Sequence, residues 1–339
     1  MNRLQLFFLI FISLVSVTSA KDKKSKLIMH EWGTFTTEIK YGGNGKLLTG
    51  LEKEEEHLPD FVYQYNLNSL NFFSKGFSTS VTNVTVKMET PVIYFYTENE
   101  TPFTVDIHFN GGKISQWYPQ KTNGGKIDPK VTRIIDFKNL KENGYIQWNG
   151  TILAKDTKEK LTKPALKHQN WLMPRETDSN LIKVNDEVEK YLFYRGLGNF
   201  ETPFNIHFEN HKMIMTNNKT EDIPYILIYK IDSSGLNPKT LWEGSIKGNQ
   251  SSTYNFKNNT KRSNFNKTNF ISALKTAGLY EKEAIAMLNT WETSYFKKEG
   301  LRIFWILPKN LTNKILPLTM KPTPTELKRV LVGRINIVK

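Results

Sequence analysis

Short apolar runs interrupted by turn residues fill the chain from Leu27 to about Tyr254, and they constrain the fold more than any other feature. The runs are rich in Thr, Val, Ile, Phe and Tyr, and Gly-Gly or Asn-Gly steps separate them, as at Gly111-Gly112 and Asn149-Gly150. β-Branched and aromatic residues favour strands, and these turn residues accept positive φ angles. The pattern predicts a mainly β fold, either an antiparallel sandwich or two packed sheets.

Helical patterns appear only after an Asn- and Lys-rich stretch, 248–267, which we expect to be a loop. Thr268 can cap a short helix that ends at Gly278, and a second helix is expected over Glu281–Lys298. Four apolar residues recur on one face of this second helix: Ala284, Leu288, Trp291 and Tyr295. The sequence therefore predicts a C-terminal helical hairpin.

Two late strands are predicted after this hairpin. Leu301–Leu307 is apolar on both faces except for Arg302, which is typical of a central strand, and Arg329–Val338 has a similar pattern. We therefore expect residues 27–247 to form a β-rich body and residues 268–339 to pack on it.

The first twenty residues have the pattern of a secretory signal peptide. Arg3 is the only charged residue before an apolar run from Leu4 to Val17, and Thr18-Ser19-Ala20 supplies small residues for cleavage. The run is shorter than the roughly 20 residues that span a bilayer. We expect cleavage near Ala20, a basic leader at 21–26, export to the periplasm or medium, and no membrane-spanning segment in the mature chain.

The composition excludes several chemistries. The chain has no cysteine, which removes disulfides, thiol catalysis and Cys-based zinc sites. It contains no phosphate loop or dinucleotide fingerprint and no His-Glu-x-x-His motif, so no cofactor and no metal are predicted. The G-x-S-x-G motif of an elbow-type serine nucleophile is also missing. The formal charge is +14, but the lysines are scattered and the chain is exported, so we expect no nucleic-acid partner. Attraction to anionic lipid or polysaccharide is the expected consequence.

An internal repeat is visible in two short strings. Residues 100–109 read ETPFTVDIHF and residues 201–208 read ETPFNIHF, each followed by a tight turn. One explanation is that Glu-Thr-Pro is a good strand entrance, because proline fits the first strand position. The other is a duplicated module, near 87–118 and 201–232.

Three residues are candidates for acid–base catalysis: His30, Glu31 and Glu89. Strand alternation in the string HEWGTF places His30, Trp32 and Thr34 on one face, with Glu31 and Phe35 on the other. A histidine and carboxylates can serve as acid and base, and two carboxylates can hydrolyse a glycosidic bond. The alternative is structural: Trp32 packs in the core while His30 and Glu31 pair with backbone or a lysine.

Two loops carry candidate ligand-binding residues. Pro164–Arg175 combines His168, Trp171 and Arg175 between prolines, and Arg195 lies beside Gly196 in the string YRGLG. Loops carry binding residues disproportionately, although Trp and Arg also fill structural corners.

Five strings together resemble a family of exported bacterial proteins of unknown function. They are HEWGTF at His30, KMETPVIYFY at Lys87, YLFYRGLG at Tyr191, AMLNTW at Ala286 and RVLVGRI at Arg329. The resemblance implies export and one integrated unit from about 27 to 339, and it implies no activity or site.

The sequence therefore favours a non-enzymatic envelope or extracellular protein that binds an envelope polysaccharide or protein. The alternative is a hydrolase acting on polysaccharide or peptide through Glu and His side chains. A structural subunit of an exported assembly is a third hypothesis.

Overall fold

The structure is a computed structural model that describes residues 26–42, 44–50, 57–64, 81–125, 135–164, 167–235, 237–257 and 263–338. The predicted signal peptide and all but the last residue of the basic leader lie outside the described residues. No helix in the described ranges is long and apolar enough to cross a bilayer.

Strands dominate, as the turn-punctuated apolar runs predict. In chain order they are β1 (Ile28–Lys40), β2 (Tyr63–Gln64), β3 (Val81–Thr82), β4 (Val86–Tyr96), β5 (Thr101–Phe109), β6 (Gly112–Tyr118), β7 (Asn123–Gly124), β8 (Ile135–Asp136), β9 (Gly144–Ile152), β10 (Ile182–Val184), β11 (Glu187–Glu189), β12 (Leu192–Gly198), β13 (Phe204–Glu209), β14 (Lys212–Asn217), β15 (Ile223–Ile231), β16 (Lys239–Ile246), β17 (Ser251–Asn255), β18 (Ser263–Asn264), β19 (Gly300–Ile306), β20 (Leu318–Lys321) and β21 (Glu326–Val338).

Helices are short and belong mostly to the C-terminal part. They are α1 (Gln169–Leu172), α2 (Lys267–Ala277), α3 (Glu281–Thr290) and α4 (Lys309–Ile315), with 3₁₀ turns at Phe137–Asn139 and Met173–Arg175 and a π-helical turn at Thr293–Lys297.

The largest sheet has the order β18-β16-β15-β19-β21-β1-β4-β12-β6-β2. Its centre differs from the antiparallel expectation, because β1 and β21 pair in parallel over their whole length, from Ile28 opposite Glu326 to Lys40 opposite Val338. Parallel neighbours need a long crossover connection. Here nearly the whole chain lies between the two strands, and β1 and β21 are neighbours at the centre of the sheet.

The described residues form three smaller sheets besides the large one. The first has the order β11-β10-β9-β5-β20, with β7 also paired to β9, the second has the order β13-β14-β17, and the third pairs β3 with β8. The first two contain the repeated strings, residues 100–109 and 201–208, and the strands formed by these strings have different neighbours. β5 pairs with β9 and β20, while β6 pairs with β12 and β2 in the large sheet. β13 and β14 instead pair with each other as a hairpin. The strings therefore share a local pattern, and the tertiary pairing of the two segments is not equivalent.

Two apolar clusters cover the two faces of the large sheet. One joins it to the smaller sheets and includes Phe35, Trp148 and Trp305; the other joins it to the helices and includes Trp32 and Trp291. Strand alternation on β1 and β19 explains this division, since consecutive side chains point to opposite faces. Leu301–Leu307 is the central strand that its apolar pattern predicts, because β19 lies between β15 and β21.

The C-terminal part differs in detail from the sequence interpretation. Asn266, and not Thr268, caps α2, because its side chain accepts a hydrogen bond from the Thr268 amide at 2.9 Å. The α-helix predicted to reach Lys298 ends at Thr290, and the π-helical turn follows. The last element of the chain is a strand, β21.

The stretch predicted as a loop, 248–267, is not one throughout. Ser251–Asn255 forms β17, which pairs with β14. The polar side chains suit an edge strand, because only one of its sides needs a hydrogen-bonding neighbour and one face meets water. Residues 258–262 of this stretch lie outside the described residues.

Candidate functional site

His30 is fully buried on the helix face of β1. Its Nδ1 lies 2.9 and 3.1 Å from the two carboxylate oxygens of Glu283 in α3. The same carboxylate accepts hydrogen bonds from the Tyr96 hydroxyl and the Tyr280 amide, both at 2.7 Å. The Tyr280 ring covers the imidazole with centroids 4.5 Å apart. Glu283 therefore joins β1, β4 and the start of α3 in one buried polar cluster.

Glu31 lies on the opposite face of β1 and is equally buried. Its carboxylate accepts hydrogen bonds from Arg329 Nε at 2.6 Å and from the Tyr194 hydroxyl. Arg329 also donates to the Leu316 carbonyl at 2.6 Å. Burial, followed by the negative charge of Glu31, raises the pKa of Tyr194 well above its usual value. The buried ion pair between Glu31 and Arg329 joins β1 to β21, and the Tyr194 hydrogen bond joins β1 to β12.

Glu89 lies on β4 among positive charges. Thr36 donates to its carboxylate at 2.9 Å, and ion pairs at 3.6 Å join it to Lys87 and Arg334. Burial alone would raise the pKa of Glu89, but the charges of Arg334, Lys87 and Arg195, with the Thr36 hydrogen bond, hold it below its usual value. The carboxylate is therefore kept ionised.

The three predicted catalytic residues thus do not share one set of partners. His30 and Glu31 lie on opposite faces of the sheet, and Glu89 contacts neither Glu283 nor Arg329 in any hydrogen bond among the described residues. His30 and Glu31 each have side-chain partners inside the protein, but these are Glu283 for His30 and Arg329 with Tyr194 for Glu31, and not the backbone or lysine partners of the structural alternative.

The predicted ligand-binding residues also separate. Arg175 donates to both oxygens of Glu189, at 3.0 and 2.7 Å, and Trp171 Nε1 lies 3.3 Å from the same carboxylate. His168 is the N-cap residue of α1 without a side-chain cap bond. Arg195 lies elsewhere, on β12, and its charge acts on Glu89. Trp171 and Arg175 are brought together, around a buried Glu189 that the sequence analysis did not single out.

The cavities of the protein lie away from these predicted residues. A cleft of about 910 Å³, here called the aromatic cleft, is bordered by Tyr41, Phe256, Lys230, Ser233 and Glu299. Tyr41 follows β1 directly and is 48% exposed, although its amide donates to the Val338 carbonyl at 2.6 Å. Its ring packs on Phe208 with centroids 4.9 Å apart. The cleft therefore has a fixed, half-exposed aromatic side chain and polar groups around it.

A second cleft, of about 560 Å³, is bordered by four charged side chains. Its charged lining consists of Lys46, Lys138, Lys219 and Glu201, and we call it the cationic cleft. A third cavity of about 380 Å³ shares Glu201 and Lys219 with it. None of the residues that line these three cavities is among the predicted catalytic or ligand-binding residues.

No local sequence pattern predicts either cleft. The segment between Tyr41 and Lys46 carries a glycine-rich pattern that indicates only a turn. In the structure Gly45 has φ +73°, and a Cβ there would lie 2.5 Å from the carbonyl oxygen of Ile206 in β13. The glycine allows the turn to lie against a strand about 160 residues later, and no local pattern shows that contact. The described residues contain no group of three His, Asp or Glu side chains arranged to hold a metal ion.

Comparisons with known proteins leave the chain without an assigned family. No family model matches the sequence, and no curated protein matches it. Among solved structures it is similar to the yeast delta-COP-I mu-homology domain, alone and in complex with a Dsl1 WxWxV peptide. The TM-scores are 0.27 and 0.28 at 8% identity, with 92% of this chain and 95–96% of that domain covered. A likeness this weak carries no statement about the fold or the function.

Proposed function

We propose that this chain is an exported bacterial protein that binds an envelope or extracellular polysaccharide and does not catalyse a reaction on it. The observation that carries the proposal is the aromatic cleft, which combines exposed aromatic surface with polar side chains at the surface of a rigid β body. Export is inferred from the signal-peptide pattern, and the resemblance of five strings to exported bacterial proteins supports it.

The aromatic cleft has the chemistry that a sugar ring needs. Sugars present an apolar C–H face and a rim of hydroxyl groups, so an aromatic face with neighbouring hydrogen-bonding groups recognises both. Tyr41 supplies the ring, and Ser233, Glu299 and Lys230 supply polar atoms. A volume of about 910 Å³ is within the range of natural ligand sites, roughly 300–1,000 Å³.

A hydrolase that uses His30, Glu31 and Glu89 is the weaker alternative. A general acid or base must come within hydrogen-bond distance of the substrate, and all three side chains are fully buried and lie outside the three cavities. A catalytic acid also needs a raised pKa, whereas the charges around Glu89 lower its pKa.

The test is a glycan array probed with the chain from Lys21 onward, followed by titration of the best polysaccharide. We expect Tyr41→Ala to weaken binding at least tenfold, while Tyr41→Phe, which keeps the ring, retains most of it. Leu161→Ala is the control, because Leu161 is another exposed apolar side chain and does not border the cleft. Failure to bind any glycan, or equal binding by Tyr41→Ala and the wild type, would overturn the proposal.

A further inference from the structure

We infer that the cationic cleft is a second subsite of the same binding surface and that it takes the carboxylate groups of an acidic polysaccharide. This inference rests on the proposed function, and it adds the chemical class of the ligand. It follows from the charge in the cleft, from the amide groups in its lining and from the position of the cleft along β13.

The charge of the cleft favours an anion. Three lysines, Lys46, Lys138 and Lys219, border it, against the single carboxylate of Glu201. Glu201 and Lys219 are 4.0 Å apart, and the Glu201 side chain is 93% exposed, so this pair neutralises little of the charge. The Asp136 charge interacts with Lys138, and the Asp136 carboxylate also accepts hydrogen bonds from Asn83, Asn139 and the Lys138 amide. Lys46 makes no ion pair with any residue in the described part of the chain.

The remaining polar lining suits a sugar acid more than a bare ion. Asn205 and Asn218 border the cleft and offer amide groups that can both donate and accept. Lysines alone would attract any anion, whereas lysines interleaved with amides and hydroxyl groups can bind the carboxylate and the hydroxyl groups of one uronic acid residue.

The two clefts lie at opposite ends of one strand. Phe204 at the start of β13 borders the cationic cleft, and Phe208 near its end packs on Tyr41 of the aromatic cleft. Four strand residues span about 13 Å. Between them, Gly45 lies against the backbone of Ile206 in β13. One polymer can therefore engage an aromatic and a cationic subsite together, and each contact raises the effective concentration for the other.

The experiment compares polygalacturonate with its fully methyl-esterified form, which has the same backbone without the charges. Binding is measured by calorimetry with the chain from Lys21 onward. We expect the charged polymer to bind at least tenfold more tightly at 50 mM salt, and the difference to shrink as salt is raised.

Two triple variants locate the contact. Lys46→Gln/Lys138→Gln/Lys219→Gln should weaken binding of the charged polymer at least tenfold and leave the ester unchanged. Lys141→Gln/Lys158→Gln/Lys160→Gln removes the same charge from exposed positions that do not border the cleft and should change binding less than twofold.

The outcomes separate the two proposals. Equal binding of both polymers, or equal loss in the two triple variants, would overturn this inference and leave the polysaccharide-binding function in place. Binding of neither polymer, in a protein that also fails on the glycan array, would overturn both.

Discussion

The polar side chains inside the large sheet and those in the two clefts differ in burial and in the number of bonds that they make within the protein. Glu31, Glu89 and Glu283 are buried, and each is bonded to a specific partner from another strand or helix. Lys46, Lys138 and Tyr41 in the clefts are exposed and make few bonds with the rest of the described chain. Buried groups with fixed partners hold the sheet together, whereas exposed groups around open space are available to a ligand.

The comparison predicts a separation of effects. Removing a buried group should lower the free energy of unfolding, because it leaves its partner desolvated and unpaired. Removing a group in a cleft should lower affinity and leave stability nearly unchanged.

The largest effect is expected for Glu31→Ala. It leaves the Arg329 guanidinium buried without its carboxylate, and breaking a buried ion pair in this way costs about 3–5 kcal/mol. Urea denaturation followed by far-UV circular dichroism measures it. The control is Glu281→Ala, which breaks an exposed pair with Lys275 and should cost less than about 1 kcal/mol. Similar losses in the two variants would contradict the distinction between buried and exposed charges.

Glu283→Ala should be the next most damaging. It removes the acceptor of the His30 imidazole, the Tyr96 hydroxyl and the Tyr280 amide at once, and we expect a loss of about 2–4 kcal/mol. Hydrogen exchange should locate the damage in α3 and the neighbouring strands. An unchanged exchange rate in α3 would show that Glu283 does not hold this helix on the sheet.

Glu89 provides a test by pH. Its pKa is lower in the folded protein than in the unfolded chain, so its stabilisation is present above the unfolded pKa, about 4.3–4.5, and is lost as the pH falls through the folded value. The stability difference between wild type and Glu89→Gln should therefore be largest near neutral pH and shrink in acid. Urea midpoints measured from pH 7 down to pH 3 test this. A difference that grows on acidification would show the opposite pKa shift.

The smallest effect on stability is expected for Tyr41→Ala. Tyr41 is half exposed, and its amide, which is bonded to Val338, is retained in the variant. We expect a change within about 0.5 kcal/mol alongside the loss of polysaccharide binding. A large drop in stability would place Tyr41 with the buried groups and weaken its assignment to a ligand site.

The sequence predicted much of the secondary structure because local patterns encode it. Alternation in HEWGTF correctly separates Trp32 from Phe35, which enter the two different cores. It could not identify partners, since His30 meets Glu283 about 250 residues later and Glu31 meets Arg329 about 300 residues later. The repeated string ETPF shows the same limit. Its two copies lead into strands that pair with different neighbours, because strand pairing depends on surfaces distant in the chain.

The sequence by itself determined that the chain is basic and contains no cysteine. It also determined a β-rich body, two helical segments near Thr268 and Glu281 and two late strands. Periodicity, turn residues and composition act over a few residues, so they can be recognised locally. The tertiary structure decided the parallel pairing of β1 with β21, the burial of all three predicted catalytic groups and the position of both clefts along β13. These depend on contacts between segments far apart in the chain, where burial and charge pairing are settled only when the strands assemble into the sheet.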